Sequence, residues 1–493
     1  MMELNRLVTE GKRVAEPRNV HLLGICGTAM TALADCMQQQ GFRVTGSDEA
    51  VYPPMSERLA ALGIAIREGY RAGNIPDDTD LVVVGNVMRE ANPEAVEMRR
   101  RELPHLSMAE ALRKFAFPGK EVVVVAGTHG KTTTTALLAH LLTELGAKPG
   151  FLVGGIPRNF DGNFRLGAGR HFVIEGDEYD TAYFDKTPKF FKFQPRVLIV
   201  TSLEFDHGDI FPDLETIRGH FRRLIAGLPA DGLLIACADD PEVRELAREA
   251  PCPVIRYGRA EEADLRLQGW KPLGAGGKFE TLRGGKGESW RISLPGLHNG
   301  LNALVAIALG GALGFPPRAV GRALRSFRGV KRRQEIRGRA DGVTVIDDFA
   351  HHPTAVRVTI EAIRGAYPGR KVWAVFEPRS FTARSPRFQE EFGAAFLGAD
   401  RVVLAPPHRP AGSGGAPVLD TGAIAAFLQG RRVWALAAGS TAEILELLTR
   451  ETEKGDVVLI MSNGGFEEIH QRLLDSLAKR GRNRARRSRR TIP

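Results

Sequence analysis

Cysteine is scarce in this sequence. Its 493 residues hold four, Cys26, Cys36, Cys237 and Cys252, and no two have CxxC spacing. Neither a disulfide framework nor a cysteine zinc site is suggested, and the usage suits a reducing, cytoplasmic location. Long apolar runs are also missing. The longest candidate, Leu301 to Phe315, is interrupted by Asn302 and by glycines. It falls short of the roughly 18 residues that cross a bilayer and reads as a buried helix, so no membrane span is expected. The N-terminal stretch has no apolar core of the signal-peptide kind. Acidic residues are outnumbered, with 68 Lys+Arg against 58 Asp+Glu and a formal charge of +10. Eight of the basic residues fall between Leu477 and Pro493, where no acid occurs, and without them the excess is +2. The charge therefore belongs to a basic tail, residues 479–493, expected to be disordered. It is no argument that the folded part binds nucleic acid.

Glycine, by contrast, is abundant, at 55 residues, and it clusters just after apolar runs. That is where α/β proteins turn from strand to helix around a ligand. Three blocks of strand, polar turn and helix follow one another. The first, residues 18–116, has apolar strands at Val20–Ile25, Phe42–Thr45 and Leu81–Val84. The second, 117–330, has strands at Glu121–Ala126, His171–Glu175, Val197–Thr201 and Leu233–Ala238, with hairpins expected over Gly269–Glu288. The third, 331–478, has strands at Val343–Ile346, Lys371–Phe376, Arg401–Leu404, Arg432–Leu436 and Asp456–Met461. The fold class is α/β, in three consecutive domains.

The strongest motif is Gly127-Thr128-His129-Gly130-Lys131-Thr132-Thr133, between the Val122–Ala126 strand and an apolar helix. Backbone N–H groups at a helix N-terminus cradle phosphate, a lysine adds a cation for the terminal phosphates, and a hydroxyl in the Thr132 position ligates Mg²⁺. The loop is shorter than the GxxxxGK[ST] spacing when counted from Gly127, but its context of strand before and helix after is the one a phosphate loop requires.

Other signals are weaker alone. Gly24-x-x-Gly27 with Asp48 after the next strand is close to a dinucleotide fingerprint, with Cys26 in the slot of the second glycine; a tight structural turn reads equally well. Glu175 in EGDEYD and His207 in LEFDH end the strands beside the phosphate loop. Carboxylates there hold Mg²⁺ against phosphates, whereas imidazole is an unusual Mg²⁺ ligand and His207 alone reads as a loop histidine. Asn299 and Asn302 share a helix face or serve as caps. Arg333, in a basic run, and Asp348, in VIDDFAHHP, form a second anion-binding wall or a charged linker. Glu377-Pro378-Arg379-Ser380 and Ser462-Asn463-Gly464-Gly465 follow strands and are substrate contacts or turns.

Together, HLLGICGTAM, AGTHGKTTTT, EGDEYDTAYFDK, LEFDHGDIF, IDDFAHHPTAV, FEPRS and MSNGGFEEIHQRLL resemble the Mur ligase family over residues 18–478. The resemblance implies a Rossmann-like UDP-binding domain, a P-loop ATPase domain and a C-terminal Rossmann-like domain. It implies ATP and Mg²⁺ as cofactors, and Thr132, Glu175 and His207 as metal ligands. The residues expected around ATP are Gly127, Thr128, His129, Gly130, Lys131, Thr132, Thr133, Asn299, Asn302, Arg333 and Asp348. Those expected at the UDP-sugar are Gly24, Gly27, Thr28, Ser47 and Asp48. Lys131, Glu175, His207, Arg333 and Asp348 are the residues the resemblance makes catalytic. Arg379, Ser380 and Asn463 are guesses for peptide binding. IDDFAHHP and SNGGF resemble the branch that joins UDP-N-acetylmuramate to the tripeptide L-Ala-γ-D-Glu-meso-diaminopimelate; the alternative is the branch that adds L-alanine. One departure stands out. Family members often carry a carbamylated lysine soon after the metal histidine, and here no lysine occurs between His207 and Asp240, with Arg222 near that place.

Overall fold

The computed structural model describes residues 18–51, 55–206, 208, 210–408 and 418–490, with side chains to Arg484. His207 lies outside the described residues. Strands that are apolar on both faces, such as Leu81–Val84 and Val197–Val200, bury every residue. They pair in parallel with helices over both faces, as such runs must.

The first sheet has five parallel strands, in the order Ile66–Glu68, Arg43–Asp48, Asn19–Leu23, Leu81–Val84, His105–Ser107. Its order reverses beside Asn19–Leu23, the strand that runs into Gly24–Gly27, so that loop sits at the switch point where ligands bind. The middle sheet has ten strands. Glu121–Ala126 lies between His171–Gly176 and Val197–Val200, with Ala126 in register with both Gly176 and Val200. The phosphate loop and the two acidic segments therefore leave the sheet at one level. Leu265–Leu273, Gly276–Arg283 and Lys286–Ile292 form the antiparallel edge expected there. The third sheet runs Glu335–Ala340, Val343–Asp348, Val457–Met461, Val372–Phe376, Arg401–Leu404, Trp434–Ala437, with only the first strand antiparallel. Met461 is in register with both Asp348 and Phe376, which brings the ends of the DD, EPRS and SNGG segments together.

One continuous hydrophobic cluster runs through the first and middle domains, and Phe117 at their junction packs on Phe172 with ring centroids 5.0 Å apart. The third domain has two clusters of its own, one on each face of its sheet. No helix among the described residues is long and apolar enough to cross a membrane.

The expectation of a disordered tail from residue 479 needs correction. The last helix runs from Ile469 to Arg490. Ile469, Leu473 and Leu477 form its buried stripe, and Arg480 continues the same face. The Arg480 guanidinium donates to Asp341 Oδ2 at 2.7 Å and to the carbonyls of Thr449 and Thr452, which end the Thr441–Glu451 helix, at 2.6 and 2.7 Å. Cationic side chains suit such unsatisfied carbonyls. Arg484 also reaches Asp341, at 3.2 Å. A charge count sees only solvated arginines, because the partners lie about 30 and 140 residues away. Asp341→Ala is expected to cost about 1–2 kcal/mol, since it strips a partly buried arginine of its counter-charge. The check is a lower urea midpoint with unchanged turnover.

Candidate active site

The phosphate loop is built from conformation as much as from side chains. Gly127 and Gly130 have φ of 128° and 80°. A Cβ at Gly127 would lie 2.3 Å from Thr201 Oγ1 and 2.8 Å from the Ser202 carbonyl oxygen, so only glycine fits there. Gly130 caps the Lys131–Glu144 helix without a side-chain bond, leaving the helix N-terminus open to a ligand. Thr128 Oγ1 accepts the Glu204 N–H at 2.8 Å, and the His129 N–H donates to Ser202 Oγ at 3.0 Å. These bonds fix the loop to the neighbouring strand end.

Lys131 Nζ donates to the Gly127 carbonyl at 2.7 Å and to Glu178 Oε2 at 3.0 Å. Burial works against the ammonium, yet the carboxylates of Glu178, Asp177 and Glu175 hold its pKa above the ordinary lysine value. Glu178 is a site residue that sequence reading missed; its only signal was its place in the acidic run after a strand. Thr132 Oγ1 donates to Glu175 Oε2 at 3.0 Å, and Glu175 also accepts the Gly154 N–H. Burial, helped by Asp177, pushes Glu175 up to about 7. A hydroxyl and a carboxylate paired at the mouth of a phosphate loop are the oxygen donors a hard cation takes, and the raised pKa marks a buried charge that a cation would stabilise. The residues present thus fit Mg²⁺.

The third domain reaches this loop through Arg333, whose Nη2 donates to Thr132 Oγ1 at 3.4 Å. The guanidinium lies over the Phe349 ring, 4.8 Å from its centroid. Asp348 accepts the N–H groups of Gln334 and Ala350, both at 2.8 Å. Burial raises the Asp348 pKa against the pull of Arg333. The adjacent Asp347 faces the other way, toward Arg332, Arg337 and His470. Arg332 in turn donates to the carbonyls of Ser462 and Gly464, at 2.8 and 2.6 Å. The two aspartates therefore divide the work: Asp348 faces the cavity and Asp347 anchors the loop.

Asn299 and Asn302 are buried on one helix. Asn302 donates to Asn299 Oδ1 at 3.2 Å and accepts from Thr134 Oγ1 at 3.1 Å, while Asn299 donates to Gln334 Oε1 at 3.2 Å. Both line a cavity of about 450 Å³ together with His129, Gly130, Thr133, Arg333 and Asp348. Its far wall is formed by Cys237, Asp239 and Tyr257. A nucleotide-sized cleft thus lies between the middle and third domains.

In the first domain, Gly27 caps the Thr28–Gln39 helix without a side chain bond, and the Cys26 N–H donates to Asp48 Oδ2 at 2.8 Å. Gly24 is held by its N–H on the Ser47 carbonyl at 2.9 Å. The Ser47 side chain is turned inward: its hydroxyl donates to Glu94, which also meets His21 and Asn74. Ser47 supports the loop rather than presenting a hydroxyl to a ligand.

Of the peptide-binding guesses, Ser380 caps a short helix by accepting the Ala383 N–H at 3.0 Å. Arg379 bonds Glu377 at 3.5 Å and lies across Gly464, where a Cβ would sit 2.1 Å from its Cδ. Asn463 Oδ1 is buried beside it with no partner among the described residues. Arg222 pairs with Glu249 at 3.1 Å and lines no part of the cavity. It does not stand in for the family's carbamylated lysine.

A three-domain α/β chain with a phosphate loop met by an arginine from a third domain has the parts of a nucleotide-dependent phosphoryl-transfer enzyme, and the comparisons identify the class. Models of the Mur ligase family catalytic domain, the Mur ligase middle domain and the Mur ligase glutamate ligase domain match residues 19–117, 125–310 and 332–464. The chain belongs to the Mur ligase family. It is 40% identical over 469 residues to the UDP-N-acetylmuramate–L-alanyl-γ-D-glutamyl-meso-2,6-diaminoheptandioate ligase of Escherichia coli K12, covering 94% of this chain and 98% of that one. The crystal structure of a murein peptide ligase from Psychrobacter arcticus superposes with a TM-score of 0.69 at 34% identity, over 94% of this chain and 99% of that one. A UDP-N-acetylmuramate–alanine ligase from Thermotoga maritima gives 0.77 at 28% identity, over 93% and 99%.

Proposed function

We propose that this protein joins UDP-N-acetylmuramate to L-Ala-γ-D-Glu-meso-diaminopimelate, using ATP, in the cytoplasmic recycling of peptidoglycan. The observation that carries the reaction class is the cavity that Thr133, Asn299, Asn302, Arg333 and Asp348 line from two domains, next to the phosphate loop that carries Lys131. The lactyl carboxylate attacks the γ-phosphorus, a new P–O bond forms as the bond to ADP breaks, and an acyl phosphate results. The peptide amine then attacks the acyl carbon, loses a proton and expels phosphate. Charge accumulates on phosphoryl and acyl oxygens in both steps, so positioned cations are what the protein must supply. Lys131 and Arg333 provide them from two domains. Thr132 and Glu175, with His207 as a further ligand by resemblance, would hold Mg²⁺, which neutralises phosphate charge. Gly24, Gly27, Thr28 and Asp48 would hold the UDP end at the first domain's switch point.

The branch rests on residue identity with peptide-adding relatives. The alanine-adding reading is favoured by one observation, the higher superposition score with the Thermotoga maritima enzyme. A superposition of three jointed domains weighs their relative placement, whereas side chains at strand ends decide which acceptor fits. ADP release with UDP-N-acetylmuramate and either acceptor separates the readings. The expected result is turnover with the tripeptide at least about tenfold above that with L-alanine, roughly the discrimination that one well-placed contact supplies. Preference for L-alanine would overturn the assignment.

A further inference from the structure

Beside the nucleotide cavity, and apart from Thr132 and Glu175, two imidazoles and a carboxylate converge. His129 belongs to the phosphate loop, Glu204 follows the Val197–Val200 strand, and His352 caps the Pro353–Ala366 helix of the third domain. Glu204 Oε2 is 3.1 Å from His129 Nε2 and 3.5 Å from His352 Nδ1, and one ligand atom from each residue lies within 4.8 Å of the other two. The same oxygen accepts the Thr354 hydroxyl at 2.8 Å. The ring centroids of the two histidines are 4.8 Å apart.

The His352 environment is unusual. The ring is 5% exposed. Its Nδ1 accepts the Thr354 N–H at 3.3 Å, which places a lone pair on the nitrogen that faces the Glu204 carboxylate. Its Nε2 has no partner among the described residues. Burial, together with His129, pushes His352 down to about 4, so the imidazole stays neutral and able to ligate near pH 7. The hydrogen bond from His129, despite burial, lowers Glu204 to about 2, which keeps it a carboxylate.

We propose that His129, Glu204 and His352 form a second metal site, for a transition ion of the Zn²⁺ class, that clasps the phosphate loop to the third domain. Two imidazoles and one carboxylate suit Zn²⁺ or Co²⁺, whereas Mg²⁺ takes oxygen ligands. Ligand atoms around a tetrahedral Zn²⁺ stand about 3.3 Å apart, so the cluster needs only small side-chain shifts. His129 and Glu204 also line the cavity, which leaves the fourth position open to water or a phosphate oxygen. The Glu204 charge offsets the two helix N-termini, which would otherwise repel a cation.

Cobalt(II) reports the site directly. Titrating Co²⁺ into the untagged full chain, without Mg²⁺, is expected to give intense visible absorption of low-coordinate cobalt. The signal should saturate at one ion per chain and be displaced by Zn²⁺. His352→Ala is expected to abolish it, and Glu204→Gln, which keeps the side-chain shape, to weaken Co²⁺ binding at least about tenfold. Glu175→Gln should leave it in place. Circular dichroism establishes that the variants are folded. A weak six-coordinate spectrum alone, or a band that survives His352→Ala and Glu204→Gln, or one lost with Glu175→Gln, would overturn the proposal.

Discussion

Lys131→Ala is expected to abolish ADP release, by about a thousandfold or more in kcat, while UDP-N-acetylmuramate still binds. The lysine is the cation nearest the phosphate loop, and its ammonium is held ready by Glu178 and the Gly127 carbonyl. Charge that develops on transferring phosphoryl oxygens in a water-poor cleft responds to a fixed cation far more than the same charge does in water. The UDP-sugar should not notice, because the Gly24–Gly27 turn belongs to a different sheet. Stopped turnover measured beside a calorimetric titration with UDP-N-acetylmuramate is the check. Wild-type turnover, or joint loss of both ligands, would remove Lys131 from its role.

Arg333→Ala is the second large effect, expected at about 10²- to 10³-fold in kcat with a smaller change in KM for ATP. This arginine is the third domain's cation on the phosphate loop. Arg332 and Gln334 on either side of it have positive φ, 60° and 51°, so the turn that aims it is specific. Arg333→Lys tests the mechanism rather than the charge. A lysine keeps one positive charge but loses the planar group that lies over Phe349 while also reaching Thr132. It should recover less than a tenth of the lost rate. Full rescue by lysine would mean that only net charge matters at this position.

What was legible in the sequence was local. A phosphate loop is a strand, a glycine turn and a helix in succession, so GTHGKTT announced itself. The same holds for the GICG turn and for the apolar runs that became parallel strands, which differ from expectation only at their ends. Residues whose role depends on distant partners were not legible. Nothing local says that the Ser47 side chain turns inward to Glu94, that Glu178 holds Lys131, or that His352 meets His129 over more than 200 residues of chain. The start of the tail was misread for the same reason: Arg480 and Arg484 find acceptors on another helix and at a turn, and composition carries no such information. The family resemblance supplied the grouping of Asn299, Asn302, Arg333 and Asp348 around one ligand, which spacing alone left as caps and charged loops.

The crossing of Arg379 over Gly464 couples these two positions to one another. A Cβ at position 464 would lie 2.1 Å from Arg379 Cδ, so the flexible end of Arg379 must move to admit a side chain there, whereas replacing Arg379 first leaves the space above the turn free. The two positions are therefore epistatic, and the order of change matters. A lineage, or a directed-evolution library, can pass through loss of Arg379 to a larger residue at 464, while the reverse order starts from a clash. A substitution at 464 measured alone therefore reports the cost of displacing Arg379 as well as its own effect.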